Sequence, residues 1–295
     1  MKKLAGICMC ACLCACLALA CADVVAAQTS EGHAPPKVLS ISREWVKPGK
    51  TGAAHEKTES LFVQAFERAN WPTHYLGMES LSGKSRALFF VGYASFEAYE
   101  KDQAAQAKNE ALSAGFAHAS LVDGELLDAF DQSLWSYDED DSNSGGVNIA
   151  TMRYFEIERF QIRPGHEEQW TEIMKLVKPA LMKGMPDDHW AMYVAAYGMP
   201  QPTYIVLTPM KSAAEIDRTF AQGAKFVEAM GPEGMKKLNE LSASAIESSE
   251  TNLFAFNPRM SYVGEDWVKA DAFWKVKAAK PAAVRKSDEK TSAKP

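Results

Sequence analysis

Histidine and arginine stand at matched places along this chain, and with glutamates on the same strands they are the residue types from which a binding or acid–base site is made. His74 in "THYLGM" (73–78) answers His189 in "DHWAMY" (188–193), and each is followed by an aromatic, Tyr75 or Trp190. An imidazole pair at equivalent positions could bind a metal or an anion, or ligate haem through one ring. Tyr193, which ends the second segment, joins the ligand-binding candidates. Arg43 answers Arg159, and a guanidinium at a strand end either grips a carboxylate ligand or pairs with a strand-neighbour glutamate. Trp45 shares a strand face with Arg43, because side chains alternate along a strand. Glu44, Glu156 and Glu158 take the opposite face from those arginines. Carboxylates confined together raise one another's pKa and can work as acid and base. No carboxylate or cysteine stands at ligand spacing beside either histidine, so the expectation is no metal site and no cofactor, with haem the one group the pair would admit. His33, His55, His118 and His166 offer less: the first is near the start of the exported chain, and the others lie in helices. There is no G-x-S-x-G, phosphate-binding loop, dinucleotide fingerprint or H-E-x-x-H.

These residues sit in two segments that echo each other. "ISREWVKPGK" (41–50) matches "IERFQIRPGH" (157–166), so that Ile41, Arg43, Val46, Lys47, Pro48 and Gly49 fall on Ile157, Arg159, Ile162, Arg163, Pro164 and Gly165. "ALFFVGYAS" (87–95) then answers "TYIVLTPM" (203–210), and both segments close alike, on "SLWSYD" and "NLFAFN". A fixed order of matched features reads as an internal repeat. Each copy opens with an alternating β-rich stretch stopped by Pro-Gly. A helix follows, with apolar residues at i, i+3 and i+4: Leu61, Phe62, Ala65, Phe66 and Ala69 in one copy, Trp170, Ile173, Met174, Val177 and Leu181 in the other. Two strands, a helical region and a final strand complete the copy, and "GPEGMKK" (231–237) breaks the second helical region. The order β-α-β-β-α-β is that of a ferredoxin-like unit. The fold expectation is therefore α+β: two tandem ferredoxin-like repeats packed as an intramolecular pseudo-dimeric α/β barrel. If the more apolar strand face meets the helices, Glu44, Glu156 and Glu158 point into the barrel.

The chain has six cysteines, all between Cys8 and Cys21. They sit in an apolar run behind Met1-Lys2-Lys3, the form of an export leader, in which cysteine acts as a small hydrophobe. The expected organisation is a signal peptide (1–27), an N-terminal arm (28–36), repeat one (37–138), an acidic and Gly/Ser linker (139–149), repeat two (150–275) and a disordered basic tail (276–295). Export to the periplasm or medium follows, with lipidation at Cys21 the alternative and the only route to a membrane. A net charge of −6 argues against nucleic acid, whose affinity is largely phosphate neutralisation. Methionines crowd repeat two (Met174, Met182, Met185, Met192, Met199, Met210, Met230, Met235), as core filling or as a soft, adaptable lining.

The Arg43-Glu44-Trp45 and Lys47-Pro48-Gly49 ending of the first strand, matched by Arg159 and Arg163-Pro164-Gly165 with Gln161 in place of the aromatic, resembles the NIPSNAP group of the dimeric α/β-barrel superfamily. The resemblance covers most of both repeats. It implies that one chain makes its own pseudo-dimer, whether it then works alone or as a homodimer. It leaves the chemistry open, since relatives include monooxygenases without cofactors, haem proteins and binding proteins. With no catalytic signature, the chain reads as an exported binder of a small organic molecule. A superfamily oxidoreductase and a cell-envelope scaffold are the alternatives.

Overall fold

The structure, a computed structural model, describes residues 34–276. The expected signal peptide, most of the expected N-terminal arm and the expected tail beyond Val276 lie outside the described residues. Each half runs in the same order. The first comprises β1 (Val38–Val46), α1 (Ala53–Ala69), β2 (Leu76–Ser80), β3 (Arg86–Tyr93), α2 (Phe96–Lys108), α3 (Glu110–Gly124) and β4 (Leu127–Asn143). The second comprises β5 (Tyr154–Ile162), α4 (Glu167–Gly184), β6 (Trp190–Tyr197), β7 (Thr203–Met210), α5 (Ala214–Ala245) and β8 (Ile246–Phe256), and α6 (Glu265–Ala270) follows it.

Within the halves the sheets run β4-β1-β3-β2 and β8-β5-β7-β6, all antiparallel, and their edges join to close one eight-stranded barrel. One seam pairs Met78 with Phe256 and Ser80 with Phe254; the other pairs Trp135 with Ala195 and Tyr137 with Tyr193. Either half alone would leave two strands with unpaired backbone groups, and closure satisfies both. This is the α+β, ferredoxin-like, intramolecular barrel that the element order implied.

The strand faces are the reverse of the expectation. Leu39, Ile41, Leu88, Phe90, Phe155, Ile157, Phe254 and Phe256 belong to one buried cluster inside the barrel. Glu44 turns outward beneath α1 and α3, and Glu156 and Glu158 turn outward toward α4 and α5. The reason is geometric. An eight-stranded barrel encloses a space that side chains nearly fill, and filling it with apolar groups removes the most surface from water. Two further apolar clusters lie between sheet and helices, around Phe66, Phe89 and Leu112 in the first half and around Trp170, Ile173 and Val206 in the second.

The acidic run read as the start of a linker is instead part of β4. Trp190 Nε1 donates to the Asp141 carbonyl (2.8 Å), and the Met192 amide donates to Ser142 Oγ (2.8 Å). Composition argues for disorder only where no partner is available, and here β6 offers an unpaired edge. The connection proper starts at Ser144, passes through a 3-10 turn (Ile149–Thr151) and packs buried Ala150 and Met152 onto the barrel. The expected helix break is present: Gly231 has φ 70° and ψ 165° inside α5, with Pro232 after it. The chain after β8 folds back over β2, where the Gly77 amide donates to Ser261 Oγ (2.9 Å). A Cβ at Gly77 would lie 2.2 Å from the Met260 carbonyl oxygen, so this crossing requires glycine.

Candidate functional site

Helix α1 carries the main departure from the sequence reading. Its apolar stripe of Ala69, Phe66, Ala65 and Phe62 continues one and two turns toward the N-terminus onto Glu59, Thr58 and His55. The helix buries these three as fully as a core residue. Opposite them stand Glu44 of β1 and Asp123 near the end of α3, both buried as well. His55 Nε2 lies 3.1 Å from Glu44 Oε2, 3.5 Å from Asp123 Oδ1 and 3.9 Å from Glu59 Oε1. One ligand atom from each of the four residues falls within 4.8 Å of all the others. Thr58 Oγ1 donates to Asp123 Oδ1 (2.5 Å), which fixes that carboxylate. Burial, with the nearby Asp123 charge, holds Glu44 above the usual carboxylate range, against the opposing hydrogen bond from His55. Glu59 is pushed well above it by burial and by the charges of Glu44 and Asp123. Its Oε1 has no hydrogen-bond partner, and neither has the buried hydroxyl of Tyr75.

This donor set corrects the expectation that the chain offers no metal site and needs no cofactor. The cluster was missed because spacing alone does not unite residues from β1, α1 and α3. One signal was available: polar residues at the core-facing positions of a helix whose counterpart stays apolar. At the core-facing places of α4 stand Trp170, Ile173 and Met174, and Phe160 takes the place of Glu44 on β5.

The other candidates are distributed over four places. At the barrel end where β1 and β5 begin, a cavity of about 410 Å³ is framed by Leu39, Leu76, Phe90, Phe155, Leu207 and Tyr193. Ile149, Ala150 and Trp267 close over it, and Tyr193 Oη donates to the Pro36 carbonyl (3.1 Å). His189 reaches the wall of this cavity, and its Nδ1 lies 3.3 Å from the Asn143 carbonyl oxygen. A nitrogen that bonds a carbonyl must carry the proton, so in the neutral ring Nε2 is the accepting nitrogen. A second cavity, of about 750 Å³, lies under α4 and α5 and takes in His189, Glu156, Glu158, Met174, Met185 and Met192. Part of the methionine group is thus a lining. Burial raises both glutamates, with Asp188 adding to the effect at Glu156 and the Glu156 charge adding to it at Glu158.

Arg43, Trp45 and Arg159 lie toward the opposite end of the barrel. Arg43 makes a two-pronged pair with Asp131 (2.6 and 2.7 Å) and stacks 5.1 Å from the Trp45 ring centre. Arg159 shares Glu250 with Arg86, at 3.4 and 3.1 Å. Asp131 and Glu250 are the register partners of Arg43 and Arg159, so both arginines form the cross-strand ion pairs that competed with ligand binding in the sequence. His74 is elsewhere again, stacked on Tyr262 at 4.9 Å, with burial lowering its pKa against the pull of Asp266. The histidine pair therefore shares no site: β2 and β6 are not neighbours in the barrel. Among the described residues, no helix is long and apolar enough to cross a membrane.

No protein-family model matches the chain, and no curated protein matches it. Solved structures do. One is a candidate monooxygenase from Fusobacterium nucleatum, 11% identical, covering 76% of this chain and 93% of that one with a TM-score of 0.48. Another is an anthrone oxidase-like protein, 15% identical over 75% and 92% of the two chains, with a TM-score of 0.46. A third is a mutant chlorite dismutase from Candidatus Nitrospira defluvii, 10% identical over 80% and 96%, with a TM-score of 0.43. At such identities and TM-scores they assign no activity, cofactor or residue role to this chain.

Proposed function

We propose that the protein binds a small, largely apolar organic molecule in the barrel-end cavity, as an exported chain whose two halves, a tandem NIPSNAP-like duplication, supply both walls. The observation that carries this reading is the cavity of about 410 Å³ inside an otherwise filled barrel. Its size lies within the roughly 300–1,000 Å³ of small-molecule sites, and its wall is mainly aliphatic and aromatic with few polar groups. Trp190 and Trp267 in the lining report on occupancy. The test is titration of the purified protein with 1-aminoanthracene, followed by quenching of tryptophan fluorescence. Saturation at one probe per chain is expected, with loss of binding in Ala191→Phe, which places a ring in the cavity. Equal binding by the wild type and by a folded Ala191→Phe variant, or no saturable binding, overturns the reading.

A second reading, oxidation of the bound molecule, is favoured by His189, whose accepting Nε2 belongs to a residue of the same wall. It requires dioxygen consumption with a bound substrate that stops in His189→Ala while probe binding persists.

A further inference from the structure

We propose that Glu44, His55, Glu59 and Asp123 form a closed structural site for one divalent first-row transition-metal ion, which pins α1 and α3 to β1. The proposal is independent of the cavity reading, because none of the four residues lines either cavity.

Geometry is the first argument. Four ligand atoms at about 2.0–2.2 Å around a tetrahedral ion stand about 3.3–3.6 Å from one another. The observed separations from His55 Nε2 are 3.1, 3.5 and 3.9 Å, which bracket that range. All four donor atoms lie within 4.8 Å of one another, so an ion would draw the more distant carboxylates inward.

Charge is the second. Three carboxylates and one imidazole are each at most 6% exposed, and among the described residues no lysine or arginine pairs with any of them. Fully ionised, the three acids outnumber one imidazolium, and uncompensated buried charge costs several kcal/mol. A divalent ion bound by a neutral imidazole cancels most of the excess. The third argument is Glu59 itself. It is 2% exposed, its Oε1 has no hydrogen-bond partner, and that atom faces the other donors. A lone pair left in that state is what a ligand position looks like before the ion is counted.

Three oxygen donors and one imidazole nitrogen suit Zn²⁺, Mn²⁺ or Fe²⁺ and leave out the thiolate-seeking ions. Four protein donors with no opening to a cavity describe a structural site, whereas a catalytic one keeps a position for water or substrate. The second half supports the same assignment by contrast. Phe160, Trp170, Ile173 and Met174 join sheet and helix there by apolar packing, and that half holds no equivalent donor set among the described residues. One ion per chain is therefore expected, in spite of the two-fold architecture.

The test uses the full chain. Elemental analysis of freshly purified protein should find close to one transition-metal ion per molecule. After chelator stripping, titration with Co²⁺ should develop visible ligand-field bands that saturate at one equivalent, with a rise in Tm of several degrees. Glu59→Gln and His55→Gln should each weaken Co²⁺ binding by ~100-fold or more. If neither variant folds, the stripped wild type decides alone. Absence of bands and of any Tm change up to millimolar Co²⁺ overturns the site, as does Co²⁺ binding of unchanged affinity in either folded variant.

Discussion

At Glu158 the fold holds a carboxylate against its own preference. Burial and the charge of Glu156 disfavour ionisation there, and only a long contact from Thr251 Oγ1 (3.5 Å) opposes them. Below the ordinary glutamate value of about 4.3 the group is protonated in both folded and unfolded chains. As pH rises past that value the unfolded chain ionises first, so stability is lost across the window up to the raised folded value. Glu158→Gln removes this loss. The variant should melt higher than wild type at pH 7 to 8, and the gap should close as pH falls to about 4; parallel Tm profiles would contradict the assignment. At this scale the sequence was legible in part. The Arg43 and Arg159 pairings followed from residue type and strand neighbours. The direction of Glu44, Glu156 and Glu158 did not, because alternation gives two faces without saying which one the barrel encloses.

At the scale of elements, α5 offers a controlled comparison between two glycines. Gly231 holds φ 70° and ψ 165°, a region open essentially only to glycine, although a Cβ there would meet nothing within 4 Å. Gly231→Ala should therefore cost about 1–3 kcal/mol from backbone strain alone. Gly223 lies in the regular part of the same helix, also with open space around a Cβ. Gly223→Ala should instead stabilise by up to about 1 kcal/mol. Urea denaturation of the two variants checks the opposite signs; destabilisation of equal size in both would remove the conformational argument. The break at Gly231 was readable because Gly-Pro is a local signal. The extent of β4 was not, because pairing of its acidic end with β6 depends on a strand some 50 residues later.

At the scale of the molecule, each half completes the other. The barrel-facing side of either sheet is apolar, and two edge strands per half find partners only across the seams. Fragments 1–146 and 147–295 expressed separately should aggregate or self-pair, and when co-expressed they should purify as a one-to-one complex. Light scattering after gel filtration distinguishes these outcomes, and two stable monomeric fragments would refute the dependence. By itself the sequence determined the order of elements and hence the barrel, since periodicity and turn residues act over a few positions. It also offered a strand-neighbour glutamate as the partner of each arginine: Arg159 has Glu250, whereas Arg43 pairs with Asp131. Only the tertiary structure decided that His74 and His189 stand apart, that the glutamates face outward, and that Glu44, His55, Glu59 and Asp123 meet. Those outcomes rest on contacts between distant elements packed around a core too small to hold charge, and local sequence carries no record of such distances.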